Sequence, residues 1–222
     1  MRRALFGAAT LLVVAGVVMT VPTRAEGQGT GVVEGVVTLH LQPPRRSAGR
    51  YPGSATASRA VQAVPAVVFV KGAVAGARPR LPATPPTMAQ QDTGFVPAAL
   101  VVPVGATVSF PNGDPFFHNV FSYSATARFD LGRYPRGETK EVTFDKPGIV
   151  KVYCEVHEFM RAVVVVAENQ FHAVADAGGR FRIQGVPEGT YTFVVWHPDL
   201  DPVERQVRVT AGGTTRLDAE LR

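Results

Sequence analysis

Cysteine occurs once in 222 residues, at Cys154, and that scarcity excludes a framework of disulfides. Charge is sparse as well, with only 18% of side chains ionic. The nominal net charge of +5 leans on the start of the chain, where Arg2, Arg3 and Arg24 stand without an acid in residues 1–25. The remainder is close to balance at +2, which gives no electrostatic basis for a nucleic-acid partner. Long apolar runs are confined to residues 4–21, and no other stretch has the length to span a bilayer. What is plentiful is apolar material, 45% of residues, enough for a core and against general disorder. Glycine (22) and proline (18) are also frequent, which favours short strands joined by turns over long helices.

The N-terminus has two arginines, an apolar run of 18 residues, then Thr23-Arg24-Ala25. This is the layout of a secretory signal peptide over residues 1–25, cleaved after Ala25. The alternative is a retained anchor, because 18 apolar residues lie at the lower edge of a membrane span. Export puts the mature chain in the periplasm or another extracytoplasmic space, with no membrane span after cleavage. In that compartment an odd cysteine is exposed and reactive, buried and inert, or held by a metal.

The rest reads as all-β. Residues 31–41 and 65–70 are strand-like, separated by a breaker-rich stretch, 42–64, expected as a mobile loop whose Arg45, Arg46, Arg50 and Arg59 form a solvated basic surface. Residues 75–94, with four prolines, read as a linker. Strands then follow at 98–102, 107–110, 118–122, 140–144, 149–153 and 162–167, and again at 171–175, 180–183, 190–196, 203–209 and 214–221. Turn chemistry marks the connections Pro111-Asn112-Gly113-Asp114-Pro115 and Lys146-Pro147-Gly148.

One segment carries chemistry. Cys154, His157 and Met160 stand at steps of three in the run YCEVHEFM, and His118 lies on an earlier strand. Singly, each has a bland reading: a small buried hydrophobe, a core filler, a satisfied polar residue. Together, the lone cysteine and one of two methionines beyond residue 25 flank a histidine within seven residues. Two imidazoles, a thiolate and a thioether suit one copper ion that changes oxidation state, whereas structural zinc takes more thiolates or an oxygen.

Residues 101–110, then Asn112, His118-Asn119-Val120 and the Cys154 loop, resemble the plastocyanin-like cupredoxins, and the C-x-x-H-x-x-M spacing is similar to the short ligand loop of amicyanins. The resemblance spans residues 95–167 and implies a Greek-key β-sandwich with one type 1 copper. It implies His118, Cys154 and His157 as equatorial ligands and Met160 as the axial one, with Asn119 bonding to the ligand loop to hold it. Where amicyanins place prolines around the second histidine, this chain has Val156 and Glu158. Glu155 and Glu158 bring negative charge that favours Cu(II) and lowers the potential if it lies within a Debye length of the metal and is not paired with Arg161.

Asp176-x-x-Gly179-x-Phe181-x-Ile183-x-x-Val186-Pro187-x-Gly189-x-Tyr191 resembles the carboxypeptidase regulatory-like domain, a small transthyretin-like β-sandwich, whose opening strands fit Val33-x-Gly35-x-Val37 and residues 67–70. The sandwich is then residues 30–74 plus 168–222, with the cupredoxin inserted in it, or in tandem with it if the N-terminal strands form a separate hairpin. The pair of modules also resembles bacterial methylamine-utilisation or plastocyanin-like proteins, which implies a redox partner protein, a dehydrogenase or cytochrome.

No enzyme is expected. None of the five histidines has a glutamate three residues on, so no zinc-peptidase pair accompanies the sandwich, and His40, His172 and His197 are too scattered for a second copper centre. Cys154 and His157 lack the orienting third group of a hydrolase. His172, His197, Trp196, Asp199 and Asp201 read as structural polar residues at strand ends. The expectation is an exported carrier of single electrons; periplasmic copper capture and delivery, or a non-redox binding module, is the alternative.

Overall fold

The computed structural model describes residues 29–42, 61–77 and 79–222. The expected signal peptide and most of the expected mobile loop, residues 43–60 with their four arginines, lie outside them. The described residues form seventeen strands and no helix. The first two are β1 (Thr30–Leu39) and β2 (Val67–Val70). Nine follow in the middle: β3 (Ala89–Gln91), β4 (Gly94–Val96), β5 (Ala99–Pro103), β6 (Ala106–Pro111), β7 (His118–Tyr123), β8 (Arg128–Tyr134), β9 (Thr139–Phe144), β10 (Gly148–Tyr153) and β11 (Arg161–Ala167). The last six are β12 (His172–Val174), β13 (Arg180–Pro187), β14 (Gly189–His197), β15 (Leu200–Val209), β16 (Thr214–Arg216) and β17 (Ala219–Leu221).

The middle strands close on one another. Five form a sheet in the order β5-β11-β10-β7-β8, with β5 and β11 parallel and the other pairs antiparallel. Facing it are the β6-β9 and β3-β4 ribbons, joined by bridges Thr87↔Ser109 and Gln90↔Asn112. Between the layers lies a core that includes Phe95, Phe110, Phe144, Val120, Val152, Cys154 and Met160. β6 and β10 alternate buried with half-buried residues, the period-2 pattern of strands with one face on a core.

The outer strands form the second sandwich. β1 lies between β13, antiparallel, and the successive short strands β16 and β17, parallel; the facing sheet runs β12-β2-β14-β15. Strands before residue 87 and after residue 167 thus share both sheets around a core of Val33, Phe171, Phe181, Ile183, Phe193 and Leu221, among others. Gly35 is needed where β1 passes Leu217, because a Cβ there would overlap the Leu217 carbonyl, whose own N–H bonds to Glu34 O at 2.9 Å. A third apolar cluster, Val64, Val67, Ala99, Val163 and Val165 with Trp196 against it, fastens the two bodies together.

Several elements differ from the sequence reading. The stretch 214–221 is two strands, broken where Asp218 Oδ1 takes the Val36 N–H at 2.9 Å. β8 was not expected: its charged residues and Gly132 disguise an edge strand with one weakly covered face. β3 lies within the expected linker 75–94, where Met88 and Gln90 are fully buried against the middle sandwich; three residues, two of them glutamine, carry no strand signal. Residues 61–64, the end of the expected mobile loop, are tied down by hydrogen bonds described below.

Candidate metal centre

The strand β7 begins with His118, which is fully buried, and the loop that follows β10 supplies Cys154, His157 and Met160. His118 Nδ1 lies 3.1 Å from His157 Nδ1 and 3.8 Å from Cys154 Sγ, and the three ligand atoms all fall within 4.8 Å of one another. Nitrogens about 2.0 Å and a thiolate about 2.3 Å from one ion, at angles near trigonal or tetrahedral, stand roughly 3–4 Å apart. The cluster therefore fits a single metal ion, and its soft thiolate and imidazoles suit copper. Met160 is fully buried in the same core as Cys154, and its N–H bonds to His157 O at 2.9 Å. The structure brings three of the four sequence-predicted ligands, His118, Cys154 and His157, into one cluster, and the fourth, Met160, lies in the same loop and the same core as Cys154.

Asn119 follows His118 on β7. Its Oδ1 accepts the Glu155 N–H at 2.7 Å and its Nδ2 donates to Asp130 at 3.1 Å, so the strand carrying one histidine grips the loop carrying the other. Glu155 itself takes a hydrogen bond from Arg133 Nε at 2.7 Å, which offsets one of the two negative charges anticipated near the site; Glu158 is exposed. Arg161 pairs with Asp199 and with neither glutamate.

The sequence reading missed Asp114. This carboxylate is almost wholly buried, and its Oδ2 lies 2.8 Å from His118 Nε2. An ionised carboxylate only accepts, so Nε2 donates and the lone pair of Nδ1 is left for a ligand. Burial pushes the Asp114 pKa up, but hydrogen bonds from the Thr93 amide, the His118 ring and the Asp92 amide outweigh it and hold it below the ordinary carboxylate value. Those amides come from the turn between β3 and β4, where Asp92 and Thr93 have φ of 53° and 55°. Asn112 completes the loop, accepting the Asp114 N–H at 2.9 Å and donating to the carbonyls of Phe116 and Tyr134. In sequence Asp114 sits in Pro-Asn-Gly-Asp-Pro, where an aspartate explains itself as a turn former. Its spacing of four residues ahead of His118 is the available signal.

His157 reaches the surface between the rings of Phe116 and Phe159, with centroids 6.4 and 5.6 Å away. Phe116 and Phe117 are more than half exposed, at 52% and 57%, and Val156 is 40% exposed. The cluster therefore meets solvent through an imidazole flanked by the rings of Phe116 and Phe159. Deeper in the same core, Tyr134 donates to Phe110 O at 2.8 Å, and burial pushes its phenol well above the usual range.

The fold is a β-sandwich bearing a His–Cys–His cluster, joined to a second, smaller β-sandwich, and comparison with known proteins finds a likeness for each part of the chain. Residues 85–167 match the family described as copper binding proteins, plastocyanin/azurin family. Residues 158–222 match the carboxypeptidase regulatory-like domain. Similar solved structures include an oxidised methionine-to-leucine mutant of amicyanin, 25% identical over 37% of this chain and 81% of that one, with a TM-score of 0.35. A purple cupredoxin from Nitrosopumilus maritimus is 29% identical over 34% of this chain and 84% of that one, TM-score 0.32. A Cu-containing nitrite reductase from Thermus scotoductus SA-01 is 26% identical over 42% of this chain, TM-score 0.37; this chain spans only 26% of its length. A search of the curated proteins yields no match.

Proposed function

We propose that this protein is an exported type 1 copper protein that carries single electrons between periplasmic redox partners, and that it is not itself an enzyme. His118, Cys154 and His157 would hold the ion equatorially and Met160 axially, with the copper module inserted between β2 and β12 of the sandwich. The observation that carries the reading is the convergence of two imidazole nitrogens and the lone thiol within 4.8 Å at one end of a β-sandwich. Copper bound there supplies a one-electron couple between Cu(II) and Cu(I).

The chain's own residues prepare that couple. Asp114 fixes the His118 tautomer and makes the ring a stronger donor. Asn119 ties the ligand loop to β7, and the buried core around Cys154 and Met160 keeps water away. The rings of Phe116 and Phe159 beside His157, with the adjacent exposed Val156, would offer a dehydrogenase or cytochrome a surface that desolvates easily, with the imidazole as the point of electron exchange. Among the described residues no helix is long and apolar enough to cross a membrane, and residues 1–25 would direct export.

The test is a visible and EPR spectrum of protein purified from the periplasm after expression of the full chain and loaded with one equivalent of Cu(II), with Cys154→Ser as control. The expected result is an intense blue thiolate-to-copper band and a narrow hyperfine splitting, both absent from the control. Ordinary tetragonal copper that survives loss of Cys154 would overturn electron transfer and favour copper capture.

A further inference from the structure

The ligand loop contains no proline between Cys154 and Met160, so its backbone has nothing intrinsic to narrow its conformations. Its entry is held by Asn119. Its exit is held from outside the middle sandwich. Phe159 O accepts the Gln62 N–H at 3.0 Å, and Gln62 O accepts from Arg161 Nε at 3.0 Å, so one residue preceding the copper module brackets the last turn of the loop. The Gln62 side chain is fixed in turn: its Oε1 accepts the Phe95 N–H at 2.9 Å and its Nε2 donates to Phe95 O at 2.5 Å. Phe95 is a fully buried member of the copper-module core.

Arg161, the residue after Met160, sends its other two nitrogens to the two oxygens of Asp199 at 2.5 and 2.6 Å. Asp199 lies between β14 and β15 of the outer sandwich. Its N–H donates to His197 Nδ1 at 3.2 Å, and His197 Nε2 donates to Val64 O at 2.9 Å. The circuit Gln62, Arg161, Asp199, His197, Val64 therefore closes on the same short segment. Two-pronged guanidinium–carboxylate bonding fixes direction as well as distance.

We propose that Gln62, Arg161 and Asp199 are positioning residues through which the outer sandwich stiffens the exit of the ligand loop and so fixes where His157 and Met160 sit. The proposal rests on the copper reading only for its consequence, a donor set that stays in place when the electron arrives; the clamp itself is a property of the metal-free protein.

The test is amide hydrogen exchange of metal-free full-length wild type, Asp199→Asn and Arg161→Lys. The first substitution removes the carboxylate acceptor and the second keeps the charge but loses the fork. The Met160 amide and its neighbours in 155–160 should exchange about 3- to 10-fold faster in both variants, with β6 and β14 unchanged. Unchanged exchange in 155–160 would overturn the proposal, and so would uniform acceleration across both sandwiches, which marks a role in global stability alone. In the copper-loaded proteins, capture by a chelator should quicken by a similar factor while the blue band survives. A wild type that forms no blue band would sink the copper reading and leave the exchange result to decide the clamp.

Discussion

Asp114 is the residue on which the character of the site turns most and which local sequence conceals best. Its buried carboxylate is held ionised by two backbone amides and by His118, so replacing it would disturb one candidate ligand while leaving the other ligand atoms of the cluster untouched. Asp114→Asn keeps the size, but its amide would present N–H groups to the N–H groups of Asp92 or Thr93. Copper affinity should fall about 10- to 100-fold, measured by competition with a chelator of known affinity; an unchanged affinity would show that His118 is oriented by packing alone. The four candidate ligands were legible in the sequence because cysteine and methionine are rare in this chain and Cys154, His157 and Met160 lie close together. Asp114 was not, because a turn accounts for an aspartate without any partner.

At the level of elements, the outer sandwich depends on a turn that reads plainly in Asp176-x-x-Gly179. Asp176 Oδ1 accepts the N–H groups of Gly178 and Arg180, both at 2.8 Å, and Gly179, at φ 75°, accepts the Val37 N–H at 2.8 Å. A Cβ on Gly179 would overlap Val37 O. Gly179→Ala should therefore cost about 2–4 kcal/mol, from left-handed backbone strain plus displacement of β1. The measurement is the urea midpoint followed at Trp196, which lies in that sandwich; a change under about 0.5 kcal/mol, the range of an ordinary surface substitution, would count against the close approach. β8 and β3 escaped the sequence reading for a different reason. β8 pairs with one neighbour, β7, and leaves much of its length exposed, while β3 is anchored by burial of Met88 and Gln90 rather than by any alternation of its own.

Across the whole molecule, two histidines outside the cluster, His172 and His197, give a pH dependence of stability to expect. Burial holds the pKa of His172 below its ordinary value of 6.5. It does the same for His197, against the opposing pull of Asp199 and the Val64 carbonyl. An unfolded chain takes up these protons near pH 6.5 while the folded one resists them, so their contribution to stability is level above that pH and is lost as pH falls below it. Asp199, held low chiefly by its hydrogen bond from Arg161, adds a further loss only below about pH 4. Urea midpoints of the metal-free protein should drop from pH 7.5 to 5.5, and His172→Gln should drop less than wild type; equal slopes would remove His172 from the account.

The pairing of β1 carries its own consequence for how the molecule comes into being. Val36 and its partner Asp218 are 182 positions apart, and β1 finds its parallel neighbours only in β16 and β17. The middle strands find all their ladder partners among themselves. As a chain emerges N-terminus first, those strands can close their sheets, and gather His118, Cys154 and His157, while β1 still waits. Asp199 arrives later still. The molecule can thus be assembled from the inside outward, with the loop that carries Cys154 and His157 shaped before Asp199 reaches Arg161 and before β1 meets β16 and β17.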